Sequence, residues 1–108
     1  MSILSAETLD AVGIEKESGV LVLTITDSLD WESPKKHLVA IQNKINRYLG
    51  YIESHEYEQH FPQAILGRMR IDLYFKHTPP PSVLTLLSNV PQVTQEYGCA
   101  FTWHVHGA

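Results

Sequence analysis

The sequence predicts an α+β fold: a two-layer sandwich in the order β-β-α-β-α-β, with a four-stranded mixed sheet and both helices on one face. Three observations lead there. Residues 68–77 and 100–106 alternate apolar and polar side chains with a period of two, the mark of a strand with one covered and one wet face. Residues 20–26, Val-Leu-Val-Leu-Thr-Ile-Thr, form the most β-prone run in the chain. Between these runs lie two stretches whose apolar residues recur every three or four positions, as helices lying on a sheet require. The 108 residues suffice for a single domain with one core, the first ten forming a loose arm.

The elements follow in order. Residues 12–16 alternate and read as a short strand, and the turn at Glu17-Ser-Gly19 offers Gly19 for a positive φ. Residues 20–26 complete a hairpin. Apolar area on both sides of that run, Leu21, Leu23 and Ile25 against Val20 and Val22, places it inside the sheet. The first helix starts at Ser33-Pro34, serine as N-cap and proline at the first helical position, with Asp30 as an alternative cap. Its stripe is Leu38, Ile41, Ile45, Tyr48, Leu49 and Ile52, and the pattern holds to about Glu53. Residues 55–67 form the longest connection, with Phe61 and Ile65 as anchors.

In the third strand, Met69, Ile71, Leu73 and Phe75 face the helices and Arg70, Asp72, Tyr74 and Lys76 face away. Three prolines, Pro79 to Pro81, precede a second helix capped near Ser82. Its apolar face is Val83, Leu84, Leu86, Leu87, Val90 and Val93. Pro91 predicts a kink or two short helices, with Asn89 capping the second. Gly98 stands where a left-handed cap ends a helix. In the last strand Phe101, Trp103 and Val105 point one way, and Thr102, His104 and His106 the other.

Composition narrows the function. Apolar residues make up 44% and charged residues 19%, ordinary values for a globular domain. The net charge of −4, with no cluster of basic residues, argues against nucleic acid. No run approaches the roughly 18 apolar residues of a membrane span, and residues 1–10 lack the pattern of a signal peptide. A single cysteine, Cys99, excludes an intrachain disulfide and fits the reducing cytoplasm. At the start of a strand it reads as a small buried hydrophobe.

Four places carry chemistry. Asp27, Asp30 and Glu32 put three carboxylates in six residues, which reads as acidic residues offsetting a helix dipole rather than as a cation loop, since the central glycine of such loops is missing. Six histidines are many for this length. His104 and His106 share a strand face at a spacing a metal accepts, with His55, His60 and His77 as conceivable partners, but no zinc signature is present. We therefore expect no metal and no cofactor. The polar sheet face, Arg70, Asp72, Tyr74, His104 and His106 with Thr24, Thr26, Lys76 and Thr102, is a platform for a protein partner or a second copy. On the first helix His37, Lys44, Tyr48, Tyr51 and His55 lie within roughly 60° of one another. They form an edge that either meets a partner or, the preferred reading, packs on the loop from Tyr57 to Ile65. No P-loop, dinucleotide fingerprint or nucleophile elbow occurs.

Leu29-Asp-Trp-Glu32, His37-Leu, Gln42-x-Lys-Ile-Asn46, Tyr48-Leu-x-x-Ile-Glu-Ser54, Tyr57, Phe61-Pro62 and Gly67-Arg68 together give the chain a resemblance to a family of small bacterial proteins known only as a domain of unknown function. The chain departs from that pattern with Tyr51 for phenylalanine, His55 for glycine, Phe61 for tyrosine, and Pro91 in the second helix. The resemblance implies a compact bacterial, cytosolic domain and supplies no catalytic residues. The leading expectation is a non-enzymatic protein-interaction module, of immunity type or self-associating. The alternative is a small metal- or ligand-binding enzyme using His104 and His106.

Overall fold

A computed structural model describes residues 10–105 of the chain. The elements run β1 (Ala11–Ile14), β2 (Leu21–Asp27), α1 (Pro34–Glu53), a 3-10 turn (Glu56–Gln59), β3 (Met69–Phe75), α2 (Pro81–Gln95) and β4 (Cys99–Val105). The predicted order and class hold. The strands lie in the sheet in sequence order, β1-β2-β3-β4. β1 is antiparallel to β2, and the other two pairings are parallel. Each parallel step needs a crossover, and a right-handed crossover puts its helix on a fixed side of the sheet. Two steps in the same direction therefore put α1 and α2 on one face and leave the other open.

The hairpin turn closes through the Glu15 N–H donating to the Val20 carbonyl at 2.9 Å, and Gly19 takes φ 73° as the turn demands. The inward residues of the strands, Leu21, Leu23, Ile25, Met69, Ile71, Leu73, Phe75, Cys99 and Phe101, are buried beneath the helices. Ser33 is the N-cap of α1 with Pro34 in the first turn, although the serine side chain makes no capping bond. The buried stripe of α1 is wider than the apolar pattern predicts: it takes in His37, Lys44 and Tyr51, while Leu38 is only half-buried.

Four expectations about the second half are corrected. The N-cap of α2 is Pro80 rather than Ser82, so the prolines themselves start the helix, Pro81 losing no bond at the first position. Pro91 neither breaks the helix nor starts a second one; α2 runs through it to Gln95. The proline carbonyl there accepts the hydroxyl of the buried Thr94 at 3.3 Å. Of the expected apolar face, Val83 and Leu87 are buried, Leu86 and Val90 are half-buried, and Leu84 and Val93 are exposed. In the connection after α1, Phe61 is half-buried, but Ile65 is exposed and anchors nothing.

His55, at the end of α1, takes the left-handed conformation (φ 61°), alone among the described non-glycine residues. A β-carbon there is disfavoured by about 1–2 kcal/mol, the cost of carrying histidine at a glycine position. Gly98 (φ 74°) ends α2 where its missing β-carbon lets the chain pass the Gly67 backbone; an added one would stand 3.0 Å from the Gly67 nitrogen.

Candidate functional site

The open side of the sheet is built by alternation. Its rows follow from the register: Val22, Arg70 and Ala100; then Thr24, Asp72 and Thr102; then Thr26, Tyr74 and His104. Arg70 grips Asp72 with two bonds, Nε to Oδ1 at 2.7 Å and Nη2 to Oδ2 at 3.2 Å, and reaches Glu15 of the hairpin at 3.4 Å. The Thr102 hydroxyl donates to Asp72 Oδ1 at 2.6 Å. Asp72 is thus buried on the open face, held by Arg70 of its own strand and Thr102 of β4. Such a forked, charge-assisted pair is stiff. Bonding to Asp72 holds the Arg70 guanidinium above its usual pKa, and the Ser18 hydroxyl, then Arg70, hold Glu15 below the usual carboxylate range. One row further along, the Tyr74 ring stacks on His104, centroids 5.0 Å apart. β1, Val22, Thr24, Arg70, Asp72 and Tyr74 line a shallow hollow of about 450 Å³ on this face. Arg70, Asp72, Tyr74 and His104 therefore come together as the alternation predicts, and His106 lies outside the described residues.

Of the two readings of the helix edge, the structure has the packing one, and the partner-binding one is corrected for His37 and Tyr51. His37, Lys44, Tyr48 and Tyr51 do share one side of α1, but that side is buried. Only His55 is exposed, in the turn beyond, where its Nδ1 lies 3.0 Å from Glu58. Tyr51 packs on Tyr57 of the 3-10 turn, centroids 6.4 Å apart. The Lys44 ammonium, with a fully buried side chain, meets Asp10 at 2.9 Å. Asp10 in turn receives the Thr26 N–H at 3.0 Å, and its own N–H donates to the Tyr48 hydroxyl at 2.7 Å. That hydroxyl donates to the Thr24 carbonyl at 2.6 Å, and burial pushes its pKa up to about 12. The cluster ties the start of the hairpin to the helix.

His37 has a second role that the sequence does not announce. Its Nε2 meets the buried Asp27 carboxylate, and its Nδ1 lies 2.9 Å from the Asp30 carbonyl. A carbonyl can only accept, so Nδ1 donates there, and Nε2 is engaged with the Asp27 carboxylate. Both ring nitrogens are therefore engaged. Trp31 stacks on the ring at 3.7 Å and sends its indole N–H to the His77 carbonyl at 3.1 Å. Burial raises the Asp27 pKa, against the lowering effect of the His37 bond. This overturns the reading of the acidic run as helix-dipole compensation. Asp27 pairs with His37, Asp30 caps the Glu32 N–H at 3.1 Å, and no acidic residue lies in the first turn of α1. In open parallel sheets ligands enter at the carboxyl ends of the strands. Here Asp27, His37, Trp31 and Phe75 pack that end.

Cys99 faces the helices, and burial pushes its thiol up to about 12. His55, His60 and His77 do not join His104: among the described residues no three His, Cys, Asp or Glu side chains group as metal ligands. No helix among the described residues is long and apolar enough to cross a membrane.

The chain belongs to a family of unknown function (DUF6572), whose profile matches residues 1–107. No curated protein and no solved structure matches it.

Proposed function

We propose that this member of a family of unknown function is a protein-interaction module that docks a partner protein on the open face of its sheet. The observation that carries the reading is the pre-ordered surface there: the Arg70–Asp72–Glu15–Thr102 network beside the stacked Tyr74 and His104. Groups already fixed in place lose little conformational freedom on binding. The hollow is broad and shallow, a shape suited to a protein surface rather than to an enclosed small molecule. Tyr74 and His104 offer a flat ring pair of the sort enriched in interface cores. The net charge of −4 favours a partner that brings lysine or arginine donors. An immunity-type protein that masks a basic toxin in the cytoplasm is one form such a module takes.

Chemistry on the covered side speaks for binding rather than catalysis. Tyr48 and Cys99 both stay protonated at neutral pH, and the His37–Asp27 pair has no ring nitrogen left to offer a substrate. The test is a comparison of wild type with a Tyr74→Ala/His104→Ala variant, both used to capture partners from native lysate. A protein held by wild type and lost with the variant supports the reading. An identical set of captured proteins, or none with wild type, sinks it.

A further inference from the structure

The two edges of the sheet are unlike. β1 is four residues long and contains Gly13, so it offers little for another strand to pair with. β4 is seven residues long, and it pairs with β3 without a bulge from Cys99 to Val105. A strand paired on one side directs half its backbone donors and acceptors outward. No described strand takes up those of β4. Edges that must stay single are guarded by lysine, proline, bulges or inward charges. β4, Cys-Ala-Phe-Thr-Trp-His-Val, has no Lys, Arg, Asp, Glu or Pro. Its end is apolar and open, with Val105 45% exposed and Trp103 half-buried.

We propose that β4 pairs antiparallel with β4 of a second copy of this chain, across a two-fold axis at Thr102, to form an eight-stranded sheet. The occupant follows from charge and shape. Each chain carries −4, so contact between copies is favoured only where charge is absent, and β4 is such a segment. Centred on Thr102, the strand matches its own reverse. Phe101 stands opposite Trp103 of the second copy on the helix side, an aromatic cross-strand pair. Small Ala100 stands opposite His104 on the open side, and Cys99 opposite Val105. Directly opposed residues of antiparallel strands share a face, so the apolar set of each copy meets the apolar set of the other. Symmetry makes every contact twice. The dimer joins two open faces into one surface with a His104 on either side of the axis. This pairing uses the edge and does not depend on the open-face reading: a monomer that still captures its partner overturns only the dimer.

Sedimentation and light scattering across a concentration series read the result. Wild type is expected at twice the 12.2 kDa chain mass. Val105→Lys and Ala100→Lys, both at exposed positions, are expected to be monomers with wild-type far-UV circular dichroism. Thr102→Cys is expected to cross-link on mild oxidation, since opposed α-carbons about 4.5–5.5 Å apart lie within disulfide reach. A wild-type monomer throughout the series overturns the proposal. So does a dimer that both lysine variants leave intact, or one that Thr102→Cys fails to cross-link.

Discussion

Replacing His37 with alanine removes the ring that holds the buried Asp27 carboxylate. Both side chains are sealed from solvent, at 2% and 0% exposure. Leaving one member of a buried pair without its partner costs about 3–5 kcal/mol. Loss of the Trp31 stack adds about 0.5–1.5 kcal/mol. A small domain has about 5–15 kcal/mol in all, so the variant is expected to be folded but weak, some 4 kcal/mol below wild type near neutral pH. Urea unfolding followed by tryptophan fluorescence and far-UV circular dichroism reads the difference, and Trp31 reports directly on the site. The pH dependence is the sharper test. Burial raises Asp27 above its ordinary 3.8, so the folded state binds this proton more tightly than the unfolded state. Its stabilising contribution is complete below that value and is lost as pH rises through the folded pKa. Without His37 the lowering influence of the bond is gone, and the penalty grows with ionisation. The deficit of His37→Ala should therefore shrink on acidification toward pH 3.8, and Asp27→Asn in the same background should recover much of it at pH 7. A loss under about 1 kcal/mol, or a deficit unchanged by acid, would mean that His37 does not hold a buried Asp27 charge.

Three further outcomes are expected. His55→Gly should stabilise the fold by roughly 1 kcal/mol, because glycine adopts the left-handed backbone without the β-carbon clash; thermal denaturation checks it, and a loss of stability contradicts it. Lys44→Met should cost about 3 kcal/mol in urea titration, since it leaves the buried Asp10 carboxylate without its ammonium. Cys99 should resist iodoacetamide at pH 8 in the native protein and react once unfolded, its thiol being buried and pushed up to about 12; rapid native labelling would contradict its burial.

What the sequence disclosed and what it hid divide along a physical line. Alternation in β3 and β4 placed Arg70, Asp72, Tyr74 and His104 on one face, because side-chain direction in a strand is a local property. The helix stripe was legible only where its residues are apolar. His37 and Lys44 belong to the buried side because Asp27 and Asp10 meet them there, and a polar residue is not read as core until its partner is known. Their common arc with Tyr48 and Tyr51 was visible from helical spacing; their burial depended on a hairpin start and a strand end distant in the chain. Sheet order had a signal too, the right-handed rule for parallel crossovers, once β2, β3 and β4 are taken as neighbours. Pro91 misled because a proline penalty is a local cost, and the packing of Val83, Leu87 and Thr94 on the sheet outweighs it.

Paired capture tests the open face as a docking surface most directly. Wild type and Tyr74→Ala/His104→Ala, matched for fold by circular dichroism, are presented to the same native lysate and the bound proteins quantified. A protein retained in stoichiometric amount by wild type and lost with the variant is the expected result. Equal recovery by both would contradict it.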